Sequence, residues 1–146
     1  MICVETIKTI PQNVVDDLVP FGKEEWNAAG VEGEAIIKLS ERIHLISDNE
    51  MKPLMVVGLI RPTMCSAPET YAFVTNNMLA QPQYLRRLKR IFFLLLGRSP
   101  IITTKIEVEN KISQRFAEFF GFSLVKLNSK FAYYEVINDA IPSNDR

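Results

Sequence analysis

A strand, a helix and a second strand follow one another in the second half of the chain, and this order most constrains the fold. "TYAFVT" (70–75) precedes the amphipathic segment "PQYLRRLKRIFFLLLG" (82–97), which precedes the β-branched run "IITTKIEV" (101–108). A helix of this length carries the chain back along the sheet, so the second strand runs parallel to the first. The sequence therefore predicts one parallel pair of strands.

The other strand-like runs mostly follow one another without helices between them. "RIHLIS", "PLMVVGLI" and "TYAFVT" are separated by the turn-forming segments "DNEMK" and "RPTMCSAP", which predicts an antiparallel meander. "MICVETI" predicts an opening strand, and "FSLVKL" with "KFAYYEVI" predicts a closing hairpin. We therefore expect an α/β fold, with a mixed, mostly antiparallel sheet, helices on both faces and a parallel pair at the centre.

Composition and charge exclude several classes of protein. With 146 residues and 47% hydrophobic side chains, the chain predicts a single domain over 1–146 with a polar tail at about 138–146. Its 17 basic and 17 acidic residues balance, so no general nucleic-acid binding is expected. The apolar run Ile91–Leu96 is far shorter than the ~20 residues of a membrane span, and no secretory signal is visible. Cys3, Cys65 and one histidine predict no metal site.

The segment "VENKISQRFAEFFGF" (108–122) predicts a well-capped helix. Asn110 suits the N-cap, and Gly121 suits a left-handed position that stops the helix. The expected buried stripe consists of Ile112, Phe116, Phe119 and Phe120. Capping and packing explain these residues without any function.

The order of the elements and this segment together resemble the GNAT superfamily of acyl-CoA-dependent N-acyltransferases. In that family the segment often carries an Asn, a small residue three positions on, a Tyr seven on, and Gly-Phe at the end. The corresponding residues are Asn110, Ser113, Ala117, Gly121 and Phe122. The resemblance implies acetyl-CoA as a candidate cofactor and Asn110 as a residue that helps to bind it.

Two positions depart from the family pattern. The tyrosine, which in many members protonates the departing thiolate, is replaced by Ala117; Tyr133 and Tyr134 are alternative donors, although strand packing also explains them. The loop after the fourth strand, which usually holds the CoA pyrophosphate, contains no glycine in residues 76–90, and Pro82 lacks an N–H. This loop is poorly suited to the usual phosphate cradle.

Four cations crowd the first turns of the long helix, where the helix dipole disfavours positive charge: Arg86, Arg87, Lys89 and Arg90. A bound anion would offset that effect, so Arg86 and Arg87 are candidates for binding CoA phosphates, an acidic partner protein or packaged nucleic acid. A solvated helix face explains the same pattern.

Two residues are candidate general bases for deprotonating an acceptor amine. Glu69 begins the strand before the suspect loop, where the family often carries a carboxylate, and His44 is the only side chain with an unperturbed pKa near neutrality. An exposed glutamate at a strand start and a lone strand histidine are equally ordinary structural features.

A closer resemblance within the superfamily is to GNAT-like proteins of short-tailed bacteriophages, the internal virion or head-assembly proteins. It is based on segments such as "PFGKEEWNAAG", "PLMVVGLIRP" and "NKISQRFAEFFGF". It implies a virion-associated or particle-assembly component with a degenerate acyltransferase site, other phage structural proteins as partners, and a location in the virion or host cytoplasm. The alternative is an active acetyl-CoA-dependent N-acetyltransferase acting on a protein or small-molecule amine.

Overall fold

A computed structural model describes residues 2–20, 23–24, 26, 34–61, 67–95 and 100–137. The strands are β1 (Cys3–Ile7), β2 (Ser40–Ser47), β3 (Pro53–Ile60), β4 (Glu69–Val74), β5 (Ile101–Glu107), β6 (Ser123–Leu127) and β7 (Phe131–Ile137). The helices are α1 (Gln12–Asp16), α2 (Glu34–Leu39), α3 (Asn76–Ala80), α4 (Leu85–Leu95) and α5 (Lys111–Phe119). The predicted tail at 138–146 lies outside the described residues.

The strands form one seven-stranded sheet in the order β1-β2-β3-β4-β5-β7-β6. All neighbours pair antiparallel except β4 and β5, which are parallel and joined through α4. The mixed sheet with its central parallel pair is therefore confirmed. None of the helices in the described ranges has the length and apolar character that a membrane crossing needs.

Helices cover both faces of the sheet, as the sequence predicts. On one face, α4 and α5 pack through Leu88, Phe92 and Phe120 onto the strands. On the other face, α1 packs through Val14 and Val15 into a second core cluster. The two clusters lie on opposite sides because successive strand residues point to opposite faces.

The connection after β4 differs from the single helix that the sequence predicts. Pro82–Tyr84 forms a 3₁₀ turn, and α4 begins only at Leu85. Pro82 has no N–H to donate, and the N–H of Tyr84 donates to the carbonyl of Gln81 at 3.2 Å. The short helix α3 lies between β4 and this turn.

Helix α5 is capped as the sequence predicts, but its buried stripe is rotated. The Asn110 Oδ1 accepts the N–H of Ser113 at 3.1 Å, and Gly121 adopts a φ of 94°. Ile112 and Phe119 are 37% and 40% exposed, so their predicted burial is wrong. Phe120 is buried as predicted and stacks on Phe92 of α4 with ring centroids 4.9 Å apart, and Ala117 is buried as well.

Candidate functional site

The parallel strands β4 and β5 pair only where they begin. Glu69 is opposite Thr103, the Thr103 N–H donates to the carbonyl of Pro68 at 3.0 Å, and the Thr104 hydroxyl donates to the carbonyl of Thr70 at 2.9 Å. Beyond these contacts the two strands share no further paired residues in the described sheet. A gap therefore opens in the middle of the sheet, toward the carboxyl ends of both strands.

A cavity of about 450 Å³ occupies this gap and extends to both faces of the sheet. Toward α4 and α5 its wall is apolar, formed by Met55, Val74, Phe92, Phe116, Ala117 and Phe120. The aromatic rings are held by one another, since Phe116 and Phe92 both stack on Phe120. This half of the cavity suits an apolar acyl group or alkyl chain.

Toward α1 and α2 the cavity wall is polar and acidic. Glu24, Glu69 and Glu107 line it, together with Tyr71 and Lys105. No ion pair with a described residue neutralises any of the three carboxylates, and the Lys105 ammonium lies over the ring of Phe131, 4.6 Å from its centroid. The negative balance of this half favours a cationic ligand such as a protonated amine.

Tyr71, on β4 next to the gap, is held by contacts with β2 and β3. Its hydroxyl lies 2.7 Å from the Ser40 Oγ, which donates to the carbonyl of Ile36 at 2.6 Å. Its ring crosses Gly58 on β3 so closely that a Cβ at Gly58 would be 2.0 Å from the Tyr71 Cζ. Only glycine leaves room for the ring in this place.

The backbone of Ala72 faces the gap. The carbonyls of Pro68 and Thr70 accept from the N–H of Thr103 and the hydroxyl of Thr104, so they point toward β5. Because backbone groups alternate along a strand, the N–H and C=O of Ala72 point the same way. Ala72 is exposed despite lying in the central strand. Its N–H and C=O are thus placed to pair with an extended ligand in the gap.

Asn110 lines the same cavity at the start of α5 and is 8% exposed. Its Oδ1 is used as the helix cap, and its main-chain N–H donates to the carbonyl of Glu107 at 3.0 Å. No described residue accepts from its Nδ2, which leaves this donor for a carbonyl oxygen in the cavity.

The first turn of α3, directly after β4, is occupied by an internal carboxylate. The Asp17 Oδ2 accepts the N–H of Asn77 at 3.2 Å, and the Asp17 carbonyl accepts the N–H and Nδ2 of Asn76 at 2.8 and 3.1 Å. The Thr75 Oγ1 accepts the N–H of Met78 at 3.1 Å. These amides therefore have partners within the protein.

A second carboxylate, Asp48, joins the same segment to the turn between β2 and β3. Asp48 is 2% exposed; it accepts from the N–H groups of Glu50 and Lys52 and from the side-chain amides of Asn77 and Gln81. Burial raises the pKa of Asp48, but these hydrogen bonds outweigh burial and lower the pKa to about 2. Asp48 is therefore ionised at neutral pH.

Solved N-acetyltransferase structures have the same architecture. An N-acetyltransferase of Campylobacter jejuni, PseH in complex with acetyl coenzyme A, aligns over 95% of this chain and 100% of its own, at 12% identity and a TM-score of 0.63. A putative acetyltransferase of Salmonella typhimurium, yncA with its cofactor acetyl-CoA, aligns over 94% of both chains, at 12% identity and a TM-score of 0.62.

Mutant forms of the spermidine/spermine N-acetyltransferase SpeG from Vibrio cholerae align over 95% of both chains, at 11% identity and a TM-score of 0.57. The chain has the GNAT fold. No family model matches the sequence, and no curated protein matches it. Identities this low establish the fold alone, and nothing among these similarities links the chain to bacteriophage proteins.

The GNAT fold brings two of the sequence-predicted site residues into the cavity. Glu69 and Asn110 both line it, and so does Ala117, the position where the family often carries a tyrosine. Arg86 and Arg87 lie exposed on α4 and do not line the cavity. Ligand binding by any of these residues stays a prediction.

His44 lies on β2, which is separated from β4 by β3, and it does not line the cavity. Its Nδ1 is 3.2 Å from the Thr6 hydroxyl, and its buried Nε2 has no partner among the described residues. Burial, with a smaller contribution from the Arg42 cation, lowers the pKa of His44 below 6.5. These properties favour a neutral core histidine.

The candidate tyrosines also lie outside the cavity lining. The Tyr134 hydroxyl donates to the Gln114 Oε1 at 3.5 Å, and burial, then the nearby Glu118 carboxylate, raises the pKa of Tyr134. Tyr133 packs against Phe131 at a centroid distance of 6.3 Å. Among the described residues, no cluster of three or more His, Cys, Asp or Glu side chains could hold a metal ion.

Four acidic residues were not recognised from the sequence: Glu24 and Glu107, which line the cavity, and Asp17 and Asp48, which contact α3. Asp17 and Asp48 contact α3 from 60 and 29 positions away in the chain. No local pattern marks such distant contacts. Glu107 could have been found, because it lies near the end of a predicted strand, three residues before Asn110.

Proposed function

We propose that the chain is an N-acyltransferase that moves an acyl group from a pantetheine thioester to an amine. The cavity through the β4–β5 gap is the observation that supports this proposal most directly. It joins an apolar half, which suits the acyl group, to an acidic half, which suits a protonated amine. The two reactants would meet in the plane of the sheet, approaching from opposite faces.

The pantetheine arm of acetyl-CoA fits this site, but its pyrophosphate does not. The pantetheine arm is an extended chain with amide groups, and it fits the unpaired N–H and C=O of Ala72 and the Nδ2 of Asn110. The pyrophosphate does not fit the segment after β4, where Asp17 and Asp48 already occupy the donors. When bound, the thioester would supply the electrophilic acyl carbon.

Glu69 is the candidate general base at the narrow end of the gap. The bound ammonium first loses one proton to solvent through the Glu69 carboxylate, directly or through water. The neutral amine then forms the C–N bond as the C–S bond breaks, and the second proton leaves the nitrogen by the same route. Ala117 offers no proton to the sulfur. Because a thiol has a pKa of about 8.5, the sulfur can leave as a thiolate and gain its proton from water.

Substitution of Glu69 tests the proposed chemistry. We expect Glu69→Gln to lower kcat for acetyl transfer to a polyamine by at least about 100-fold, because general-base catalysis contributes that much, while thioester affinity stays unchanged. Glu50→Gln is the matched control, since the Glu50 carboxylate is exposed and, within the described part of the chain, pairs only with Lys52, at 3.4 Å. Equal kcat values for the two variants would remove Glu69 from the mechanism.

A second candidate function is a GNAT-fold binding component of a phage particle, with phage structural proteins as partners. Two observations support it: Asp17 already binds a backbone N–H after β4, and Ala117 has no hydroxyl. A protein that has lost catalysis needs neither a phosphate site nor a proton donor. Mass spectrometry of purified particles from the source phage tests it. Absence of the chain from particles, with normal assembly after gene deletion, would exclude this role.

A further inference from the structure

We propose that the site recognises its acyl donor through the pantetheine arm alone, so that pantetheine thioesters lacking a nucleotide are donors as good as acyl-CoA. This inference rests on the proposed N-acyltransferase function. Pantetheine thioesters occur in acyl-CoA and on the phosphopantetheine of acylated carrier proteins, and both share the arm that the gap would hold.

The backbone after β4 has almost no donors left for a phosphate. Internal acceptors take the N–H groups of Thr75, Asn76, Asn77, Met78, Leu79, Gln81 and Tyr84. Pro82 has none, and Leu85 donates to the carbonyl of Pro82, so α4 begins as a continuation of the 3₁₀ turn. A diphosphate binds where several backbone N–H groups are free to donate to it. In this segment it would face carbonyl oxygens and N–H groups that already donate to other acceptors.

The charge of the segment opposes a diphosphate as well. Asp17 and Asp48 both contact the backbone or side chain of Asn77, and Asp48 is held ionised by its hydrogen bonds. Two carboxylates near the start of α3 repel a second anion, and their partly buried setting limits screening by salt. The position is therefore already filled by internal anions.

The basic residues of α4 do not replace the missing cradle. Arg86 and Arg87 are exposed, and they lie outside the cavity lining. A contact between an exposed arginine and a phosphate in water contributes little to affinity, because both ions give up hydration and side-chain freedom. Loss of the nucleotide should therefore change the binding free energy only slightly.

The arm itself keeps its binding groups. The exposed backbone of Ala72, the Nδ2 of Asn110 and the aromatic wall at Phe116 and Phe120 lie along one cavity. An extended arm lying against β4 would continue the sheet across the gap, in the manner of an added strand. Recognition by backbone pairing requires no charge at the far end of the ligand.

Calorimetric titration with CoA, 4′-phosphopantetheine and pantetheine distinguishes recognition through the pantetheine arm alone from recognition that also uses the nucleotide. We expect the three dissociation constants to agree within about threefold, since a tenfold difference would correspond to about 1.4 kcal/mol from the nucleotide. The double variant Arg86→Ala with Arg87→Ala should leave all three unchanged. CoA binding more than about tenfold tighter than pantetheine, or a selective loss for CoA in the variant, would overturn the inference.

The same titration distinguishes failure of the inference from failure of the proposed function. Tighter binding of CoA alone overturns arm-only recognition and leaves the acyltransferase function intact. Absence of binding by all three ligands at millimolar concentration overturns both.

Turnover then identifies the source of the donor. Acetyl-pantetheine should match acetyl-CoA in kcat/KM within about threefold. An acetylated carrier protein should be at least as good a donor, because its acidic surface would contact the exposed cations of α4, which include Arg86 and Arg87. Activity with acetyl-CoA and none with the other two donors would refute arm-only recognition.

Discussion

The contact between Asp17 and α3 offers a direct test of how the segment after β4 is held. Asp17→Ala removes the acceptor of the Asn77 N–H and leaves the Asp17 carbonyl, which binds Asn76. Loss of one charged acceptor from a partly buried N–H costs about 1–3 kcal/mol. The 3.2 Å distance is long for this bond, which favours the lower half of that range. The lost interaction with the helix dipole adds about 0.5 kcal/mol.

We therefore expect Asp17→Ala to lower the free energy of unfolding by about 1.5–2.5 kcal/mol, measured by urea denaturation with an unchanged m-value. Asp16→Ala is the matched control, because among the described residues the exposed Asp16 carboxylate accepts only from the exposed Gln12 Nε2, at 2.9 Å. Asp17→Asn keeps an acceptor and loses the charge, so it should fall between the two. If Asp17→Ala and Asp16→Ala are equally stable, Asp17 does not hold α3 and the reasoning is refuted.

Two further predictions concern the groups around the site. Asp48 has its pKa lowered to about 2 in the folded state, so its stabilisation is complete above its unfolded pKa of 3.8 and is lost as pH falls from there toward 2. Asp48→Asn should be less stable at pH 7, and its melting temperature should fall less than that of the unchanged protein as the pH is lowered from 3.8 toward 2. An equal fall in both proteins would contradict the lowered pKa of Asp48. Gly58→Ala places a Cβ 2.0 Å from the Tyr71 Cζ, which displaces the ring and its 2.7 Å contact with Ser40. We expect a loss of about 1–3 kcal/mol by denaturant unfolding, and a loss below about 0.5 kcal/mol would show that the ring has room to move.

The fold could be predicted from the sequence because its strongest constraints are local or topological. A strand, a helix and a strand in succession require a parallel pair, and the confirmed β4–β5 pair lies at that place. The cap at Asn110 and the left-handed Gly121 follow from residue type and spacing alone. Each of these features depends on residues within a few positions of one another or on the order of elements.

The site could be predicted only in part because it depends on distant contacts. The sequence indicates Glu69 and Asn110, but the divergence of β4 from β5 depends on how neighbouring strands and helices pack. The same holds for α5, where stacking of Phe120 on Phe92 decides which phenylalanines are buried. The sequence shows that the segment after β4 lacks glycine. It does not show that the carboxylates of Asp17 and Asp48 bind this segment.

Chemical-shift mapping with pantetheine tests the central claim most directly, since it reports where the arm binds and requires no turnover. Amide resonances are recorded for the ¹⁵N-labelled protein while pantetheine is added to millimolar concentration. We expect the largest shifts at Ala72, Asn110 and Ser113, which surround the gap between β4 and β5. Absence of shifts, or shifts confined to the exposed arginines of α4, would contradict binding of the arm in the gap.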